Sequence, residues 1–322
     1  MCRVPRRVIL DMDPGVDDAV ALCMALFDPR LEVVAVTATG GNVSSEQATR
    51  NLHSLVSLLD PPKFPRLGSA PTDVVLPEKY RSIHGQDGLG DAGIPLMGRH
   101  GSNLSEKVIL ETLRAYPREV TIIALGPLTN ISRAFLRDPS AVDLVREVIV
   151  SGGTSNGFGN ITPCADFNFF CNPTAAGHVL RTPMRKTVVP LETTGQVVLG
   201  FDLLEDVPDE SSRAGSLLRR MLPHAFRAYR QLLGREGICL HDVVTLVSLT
   251  NPELFERLTV AADVETAGEL TTGALIIDRR EVAGWQPNLD MLVNVDAAAV
   301  HDCILRSLAQ AARLTGGTTS AA

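Results

Sequence analysis

The sequence has few aromatic residues, little positive charge and no long apolar run. Only 4% of its 322 residues are aromatic, whereas 45% are hydrophobic, so the core must be built mainly from Ala, Val, Leu and Ile. The formal net charge of -7 argues against a nucleic-acid partner held through its phosphates. No stretch is apolar enough to span a bilayer, and Val8–Leu10 is too short for the apolar part of a signal peptide. We therefore expect no membrane association.

Cysteine is present without a pairing pattern. The six cysteines form no CxxC pair and show no zinc-ligand spacing. They are Cys2, Cys23, Cys164, Cys171, Cys239 and Cys303. Several lie in apolar runs, where a free buried thiol is the common state. A reducing compartment is the simplest interpretation, and we predict a cytoplasmic protein.

The densest chemical signal lies near the N-terminus. An apolar run, Val8–Leu10, is followed by four carboxylates within eight residues, by a Pro14-Gly15 turn and by helical periodicity from Val16. The four acids are Asp11, Asp13, Asp17 and Asp18. Acids this close repel one another unless a cation lies among them, and carboxylate oxygens suit calcium or magnesium. Helix capping is the alternative for the two acids after the turn, but it does not account for the two before it.

Strand and helix patterns alternate along most of the chain. Five apolar runs are predicted as strands: Val8–Leu10, Leu31–Thr39, Val120–Leu125, Val145–Val150 and Lys186–Pro190. The first four end in turns that carry Gly or Asp. This alternation predicts an α/β fold with a mostly parallel central sheet flanked by helices, Rossmann-like, with the active site at the carboxyl ends of the strands. We predict one domain over residues 1–315 and a disordered tail over 316–322.

Two local predictions concern the remaining elements. A helix over Ser105–Tyr116 is expected to be capped by Ser105. The stretch Leu258–Val295 has the pattern of β-hairpins, with turns near Gly268 and Gly284.

Three further polar segments are candidate site elements, each with an ordinary alternative. His84 could contact a ligand or be a surface histidine. Asp166 and Asn168 are two residues apart, so an extended chain would point both the same way, although polar loops often have this composition. His241 beside Asp242 could act as an acid near pH 7, or the pair could be a surface histidine beside a capping aspartate.

The polar segments together resemble one known family. Residues 11–18 match the DxDPGxDD motif of the inosine–uridine nucleoside hydrolases. The resemblance continues in the family's order over roughly residues 8–300, through Gly41-Asn42, His84-Gly85-Gln86-Asp87-Gly88, Ala124–Asn130, Gly159-Asn160, Asp166-Phe167-Asn168 and His241-Asp242. The first motif is specific, and the others are informative as an ordered set.

The resemblance implies an N-ribohydrolase that cleaves a ribonucleoside to free base and ribose. It implies one calcium ion, whose bound water is the nucleophile, and a homo-oligomer, either dimer or tetramer. The implied metal ligands are Asp13, Asp18, Asp242 and the carbonyl of Leu125. Asp13 would be the general base and His241 the general acid. His84, near the leaving nucleobase, would be a second candidate acid. The implied ribose-binding groups are Asp17, Asn42, Asn160, Asp166 and Asn168.

Three positions depart from the family's pattern. Met12 replaces Thr or Cys, Asp166 replaces the usual Glu, and Val243 replaces a common Pro. The shorter Asp166 leaves its reach to the ribose 5′-hydroxyl open, and base preference also stays open. Two rival functions are a phosphatase of the haloacid dehalogenase type, disfavoured by Gly15 after the DxD motif, and a non-catalytic calcium-dependent ribose or nucleoside binder.

Overall fold

A computed structural model describes residues 4–72, 83–95, 103–282 and 284–316. Within these ranges the strands are β1 Arg6–Met12, β2 Leu31–Ala38, β3 Arg66–Ser69, β4 Asn103–Leu104, β5 Val120–Ala124, β6 Val145–Ser151, β7 Lys186–Val189, β8 Phe255–Val260, β9 Ala262–Val264, β10 Leu275–Ile277 and β11 Leu289–Val295. Nine of these described strands form one sheet in the order β4-β3-β2-β1-β5-β6-β7-β11-β8. Neighbouring strands are parallel except β11 and β8, and β9 pairs with β10 separately. The predicted mostly parallel sheet is confirmed.

Helices cover both faces of this sheet. They are α1 Val16–Phe27, α2 Ser45–Leu59, α3 Ser105–Ala115, α4 Thr129–Arg137, α5 Phe167–Cys171, α6 Pro173–Arg181, α7 Leu191–Thr194, α8 Leu203–Asp206, α9 Arg213–Leu233, α10 His241–Thr250 and α11 Ala297–Thr315, with short 3-10 helices at Pro139–Leu144 and Pro252–Leu254. Side chains of a strand alternate between faces. Leu10 and Met12 of β1 therefore pack in one core with α1, α2, α9, α10 and α11, whereas Ile9 packs in the other with α3, α4 and α6.

The order of the strands fixes where a ligand site can form. β1 is the switch point, since β2 pairs along one side of it and β5 along the other. Asp11 is in register with Ala124 of β5, and Met12 with Ala38 of β2. The turns that follow these three strands consequently emerge together at the carboxyl edge, where open α/β sheets bind ligands.

Two local predictions are wrong. Ser105 does not cap a helix; it is the first residue of α3, and its hydroxyl donates to the carbonyl oxygens of Ala38 (2.8 Å) and Ser69 (2.9 Å). The turn near Gly268 does join a hairpin, β9–β10, but Gly284 joins strands that do not pair. Instead β11 inserts between β7 and β8, because its buried Leu289 and Met291 complete the core beneath the sheet.

No helix among the residues that the structure describes is long and apolar enough to cross a membrane. The five cysteines within these ranges are all free thiols. The prediction of a single domain over residues 1–315 stays a prediction. The predicted disorder of the tail concerns residues 317–322, which lie outside the described ranges.

Candidate active site

A cavity of about 630 Å³ opens at the carboxyl edge of the sheet. Sequence-predicted residues that line it are Asp13, Asp17, Asn42, His84, Leu125, Asn160, Asp166, Asn168, His241 and Asp242. The remaining predicted site residue, Asp18, is completely buried. Residues spread over more than 200 positions of the chain thus meet at one site. The volume suits a small organic ligand.

Three carboxylates converge in this site. Asp17, Asp18 and Asp242 each present an oxygen within 4.8 Å of the others; the side chains of Asp18 and Asp242 are buried and that of Asp17 is mostly buried. Oδ1 of Asp17 and Oδ1 of Asp18 have no hydrogen-bond partner within the described part of the chain. Buried oxygens of this kind are costly unless a cation or a donor binds them. The three residues therefore fit a divalent metal ion with oxygen ligands.

Burial and mutual repulsion make these acids hard to ionise. Burial, and then the charge of Asp17, raises the pKa of Asp18 to about 8. The pKa of Asp242 is also raised, first by burial and then by the charges of the neighbouring acids. A bound cation would reverse this penalty, because it favours the ionised carboxylates.

The tight turn before α1 sets the geometry of Asp18. Gly15 is the N-cap residue, and its backbone N–H donates to Oδ2 of Asp18 at 2.8 Å. A Cβ atom on Gly15 would lie 2.6 Å from Nδ2 of Asn42 and 2.9 Å from Nδ1 of His84, so only glycine fits. Capping therefore accounts for one oxygen of Asp18 and leaves the other for a ligand.

Asp13 lies between two glycines that have no room for a side chain. A Cβ atom on Gly41 would fall 1.9 Å from Oδ2 of Asp13, and one on Gly126 would fall 2.4 Å from Oδ1. The backbone N–H of Asn42 donates to Oδ2 at 2.6 Å. Burial, followed by the charge of Asp18, raises the pKa of Asp13. The carboxylate is held firmly, but it is not one of the three converging groups.

Leu125 lines the same cavity. Its carbonyl oxygen accepts a hydrogen bond from Nδ2 of Asn168 at 2.7 Å, and the same amide donates to the carbonyl of Ser151 at 3.0 Å. Asn168 thereby joins the ends of β5 and β6. Its own Oδ1 remains as the atom that can accept from a ligand.

Asp166 and Asn168 do not lie on an extended strand as predicted. Residues Phe167–Cys171 form α5, and Asp166 is its N-cap. Oδ1 of Asp166 accepts from the N–H of Gly153 (2.7 Å) and of Phe169 (3.3 Å), while Oδ2 accepts from the N–H of Asn168 (2.9 Å). Burial raises the pKa of Asp166 to about 6 despite these donors. The hydrogen bonds from the N–H groups of Asn168 and Phe169 to the cap stabilise the first turn of the helix, so the segment is helical.

Two histidines point into the cavity with different partners. Nδ1 of His84 accepts from the backbone N–H of Val16 at 3.2 Å and lies 3.8 Å from Oδ1 of Asp17. The alternative of a surface histidine is therefore wrong for His84. Nδ1 of His241 lies 2.7 Å from the hydroxyl of Thr194. Burial is the main cause that lowers the pKa of each ring.

Sequence reasoning missed several residues that line the cavity. They include Phe158, Glu192, Thr194, Gln196 and Arg235. Glu192 accepts from the N–H groups of Ser155 (2.7 Å) and Asn156 (3.1 Å) and so holds the loop that leads to Asn160. Several of them follow β7, which is the fifth strand predicted from the sequence. The turn after it carries neither Asp nor Asn, so the sequence does not mark it as part of the site.

Of the three tyrosines, whose rings could stack on a base, Tyr229 lines the cavity. Its hydroxyl donates to the carbonyl of Cys239 at 2.8 Å, just before α10. Tyr116 instead lies under the guanidinium of Arg7, and Tyr80 falls outside the described residues.

The chain is similar to known nucleoside hydrolases over nearly its whole length. A family model described as inosine-uridine preferring nucleoside hydrolase matches residues 8–302. The non-specific ribonucleoside hydrolase RihC of Escherichia coli is 32% identical over 307 residues, covering 94% of this chain and 98% of the relative. A solved plant nucleoside hydrolase is 30% identical with a TM-score of 0.87, covering 95% of this chain and 99% of its own. A purine-preferring ribonucleoside hydrolase from Gardnerella vaginalis is 26% identical with a TM-score of 0.89, covering 96% and 100%.

The fold and the cavity define an α/β protein with an acidic ligand site at a topological switch point. The chain belongs to the inosine–uridine preferring nucleoside hydrolase family. This membership confirms the predicted fold class and the prediction of a hydrolase acting on N-glycosidic bonds. The phosphatase alternative is thereby discarded. The family is metal-dependent, in keeping with the acidic cluster.

Proposed function

We propose that this protein hydrolyses ribonucleosides to base and ribose with the help of one calcium ion held at the acidic cluster. The observation that carries the proposal is the set of three converging carboxylates, two of which have an unpartnered buried oxygen. Four carboxylates and a carbonyl form an all-oxygen donor set, which suits calcium better than zinc or copper.

The proposed metal ligands are Asp13, Asp18, Asp242 and the carbonyl of Leu125. Asp17 is the third member of the converging group, so it contacts either the ion or the ribose hydroxyls beside it. When bound, calcium supplies positive charge that attracts the ribose diol and makes a nearby water more acidic. The remaining ribose contacts are assigned to Asn42, Asn160, Asp166 and Asn168, all of which line the cavity.

Hydrolysis needs a base for water and an acid for the departing group. Asp13 is the proposed base, since it lines the cavity and its carboxylate is held in place between two glycines. Water attacks C1′ and gives its proton to Asp13, while the C1′–N bond breaks and its electron pair goes to the leaving base. His241 is the proposed acid that protonates that base. The nearby carboxylates stabilise the positive charge that develops on the sugar.

A panel of ribonucleosides assayed for reducing sugar, with and without chelator, tests the proposal. We expect release of ribose that stops in the chelator and returns with added calcium. Nucleoside binding without any reducing sugar over hours would favour the non-catalytic binder instead. Release of phosphate from a phosphomonoester with no release of base would contradict the proposal outright.

We also propose that the protein is a homo-oligomer, dimer or tetramer, in the cytoplasm. The free thiols of the described cysteines support a reducing compartment. Exposed apolar side chains such as Phe201 and Leu232 supply surface that subunits could bury. Light scattering after size-exclusion chromatography tests the assembly, and a monomeric mass at micromolar concentration would contradict it.

A further inference from the structure

We propose that Thr194 is a positioning residue for the reaction: its hydroxyl holds the ring of His241 so that Nε2 faces the leaving base. The inference rests on the proposed function, because it concerns how the acid is held. It is drawn from one short contact between two elements that are distant in sequence.

The contact joins α7 to the first residue of α10. Oγ1 of Thr194 lies 2.7 Å from Nδ1 of His241, a strong distance for a hydroxyl and an imidazole nitrogen. Thr194 is 1% exposed, so water does not compete for this bond. Both side chains also line the cavity. Because Nδ1 is bonded to Thr194, Nε2 is the ring nitrogen that is available to a ligand.

The Thr194 hydroxyl can accept a hydrogen bond from the ring because it can donate its own hydrogen to a backbone carbonyl. Oγ1 of Thr194 also lies 3.2 Å from the carbonyl of Leu191 and 3.3 Å from the carbonyl of Pro190. A hydroxyl has one hydrogen and two lone pairs, so it can donate to a carbonyl and accept from Nδ1–H together. Nδ1 then keeps its hydrogen throughout, and Nε2 is the nitrogen that loses and regains a proton.

The proton transfer starts from the ring with hydrogen on both nitrogens. The proton on Nε2 of His241 passes to the base nitrogen that receives the electron pair of the broken C1′–N bond. The ring is left neutral with its hydrogen on Nδ1, still donated to Thr194. Solvent then returns a proton to Nε2. A neutral hydroxyl orients the ring without adding another negative charge to a cavity that carboxylates already line.

His84 provides the contrast within the same cavity. Its Nδ1 accepts from the backbone N–H of Val16 at 3.2 Å, so this nitrogen must be free of hydrogen. A backbone amide can only donate, and a second proton on that ring would face it. Of these two histidines, only His241 can therefore carry hydrogen on both ring nitrogens, because Thr194 accepts from Nδ1–H while Nε2 holds the proton that is given up.

The test compares Thr194→Val, which keeps the shape and removes the hydroxyl, with Thr194→Ser, which keeps the hydroxyl. The substrates are inosine, whose base departs better when protonated, and nitrophenyl riboside, whose leaving group needs no proton. We expect Thr194→Val to lower kcat for inosine by on the order of 10- to 100-fold, the range found when a metal-ligating histidine loses its outer hydrogen-bond partner. The rate on nitrophenyl riboside should stay within about twofold, and Thr194→Ser should restore inosine cleavage.

Equal losses on both substrates, or no loss on either, would overturn the role of Thr194. A wild-type protein that cleaves neither substrate would instead contradict the proposed function. A second readout does not depend on turnover. In protein labelled with ¹⁵N-histidine, the spectrum should show a hydrogen on Nδ1 of His241 in the wild type and a mixture of tautomers in Thr194→Val. The signal is assigned by its absence in His241→Gln, and an unchanged tautomer would contradict the inference.

Discussion

Asp18 and Asp166 are both buried carboxylates beside one cavity, yet their hydrogen-bond partners differ. Asp166 caps α5, and three backbone N–H groups donate to its two oxygens. Asp18 accepts from Gly15 and Asn42 through one oxygen, while its other oxygen has no partner within the described residues. Backbone donors thus satisfy both oxygens of Asp166, whereas the described residues leave one oxygen of Asp18 without a donor. The comparison indicates that the hydrogen-bond partners of a buried acid, rather than its burial, distinguish a candidate metal ligand from a helix cap.

The largest expected effect concerns catalysis at the acidic end of the cavity. Asp13→Asn should lower kcat/KM for ribonucleosides by about 10²- to 10⁴-fold, because it removes the proposed general base. The fold should persist, since the amide can still accept from the N–H of Asn42. Reducing-sugar assays and circular dichroism check both points. Wild-type rates in this variant would remove Asp13 from the mechanism.

The next prediction separates Asp18 from Asp166 by the effect of calcium on stability. Calcium at 100 times its Kd should stabilise the wild-type protein by about 2.7 kcal/mol, because only the folded state gathers the ligands. Asp18→Asn should abolish this gain, whereas Asp166→Ala should keep it. Denaturant unfolding with calcium and with chelator measures the difference. An equal calcium response in both variants would break the distinction between the two acids.

Without metal, the two substitutions should change stability in opposite directions. Asp166→Ala should lower the free energy of unfolding by about 0.5–2 kcal/mol, since the N-cap of α5 loses its acceptor. Asp18→Asn should raise it near pH 7, because asparagine is neutral without having to take up the proton that the raised pKa of Asp18 demands on folding, while the bond from Gly15 can remain. Unfolding curves in chelator decide the signs. A destabilised Asp18→Asn would show that the metal-free cluster is not under repulsion.

The smallest effect comes from a buried base that mirrors Asp166. Nζ of Lys186 donates to the carbonyls of Thr182 and Met184, and burial lowers its pKa to about 8. Its unfolded pKa is near 10.4. Between these values the unfolded chain binds more protons, so stability should rise with pH from about 8 to about 10.4.

Unfolding curves at several pH values measure this slope. Lys186→Met should flatten it relative to the wild type, since methionine fills similar space without a titrating group. A slope that persists unchanged in the variant would assign it to other groups.

Local sequence was enough to predict the acidic half of the site. A strand, a Pro-Gly turn and a helix start follow one another within residues 8–22, so the positions of Asp13 and Asp18 depend on neighbours in the chain. The other half depends on distant partners. The N–H of Gly153, which follows another strand, holds Asp166 in addition to the two N–H groups of its own helix that Asp166 caps. No local pattern encodes that contact.

Thr194 and β11 show the same limit. Thr194 gains its role from a histidine 47 positions away, and its own segment carries no motif. The strand β11 pairs with β7 instead of forming the expected hairpin, because its apolar side chains are buried in the core at that position. Pairings across the sheet, rather than propensities along the chain, determined both outcomes.

The most direct test of the whole account is calorimetric titration of calcium into protein freed of metal by chelator. We expect one ion bound per chain, with binding lost in Asp18→Asn and Asp242→Asn and retained in Asp166→Ala. No binding heat at millimolar calcium, together with full ribonucleoside hydrolysis in chelator, would contradict the claim that the converging carboxylates form a metal site.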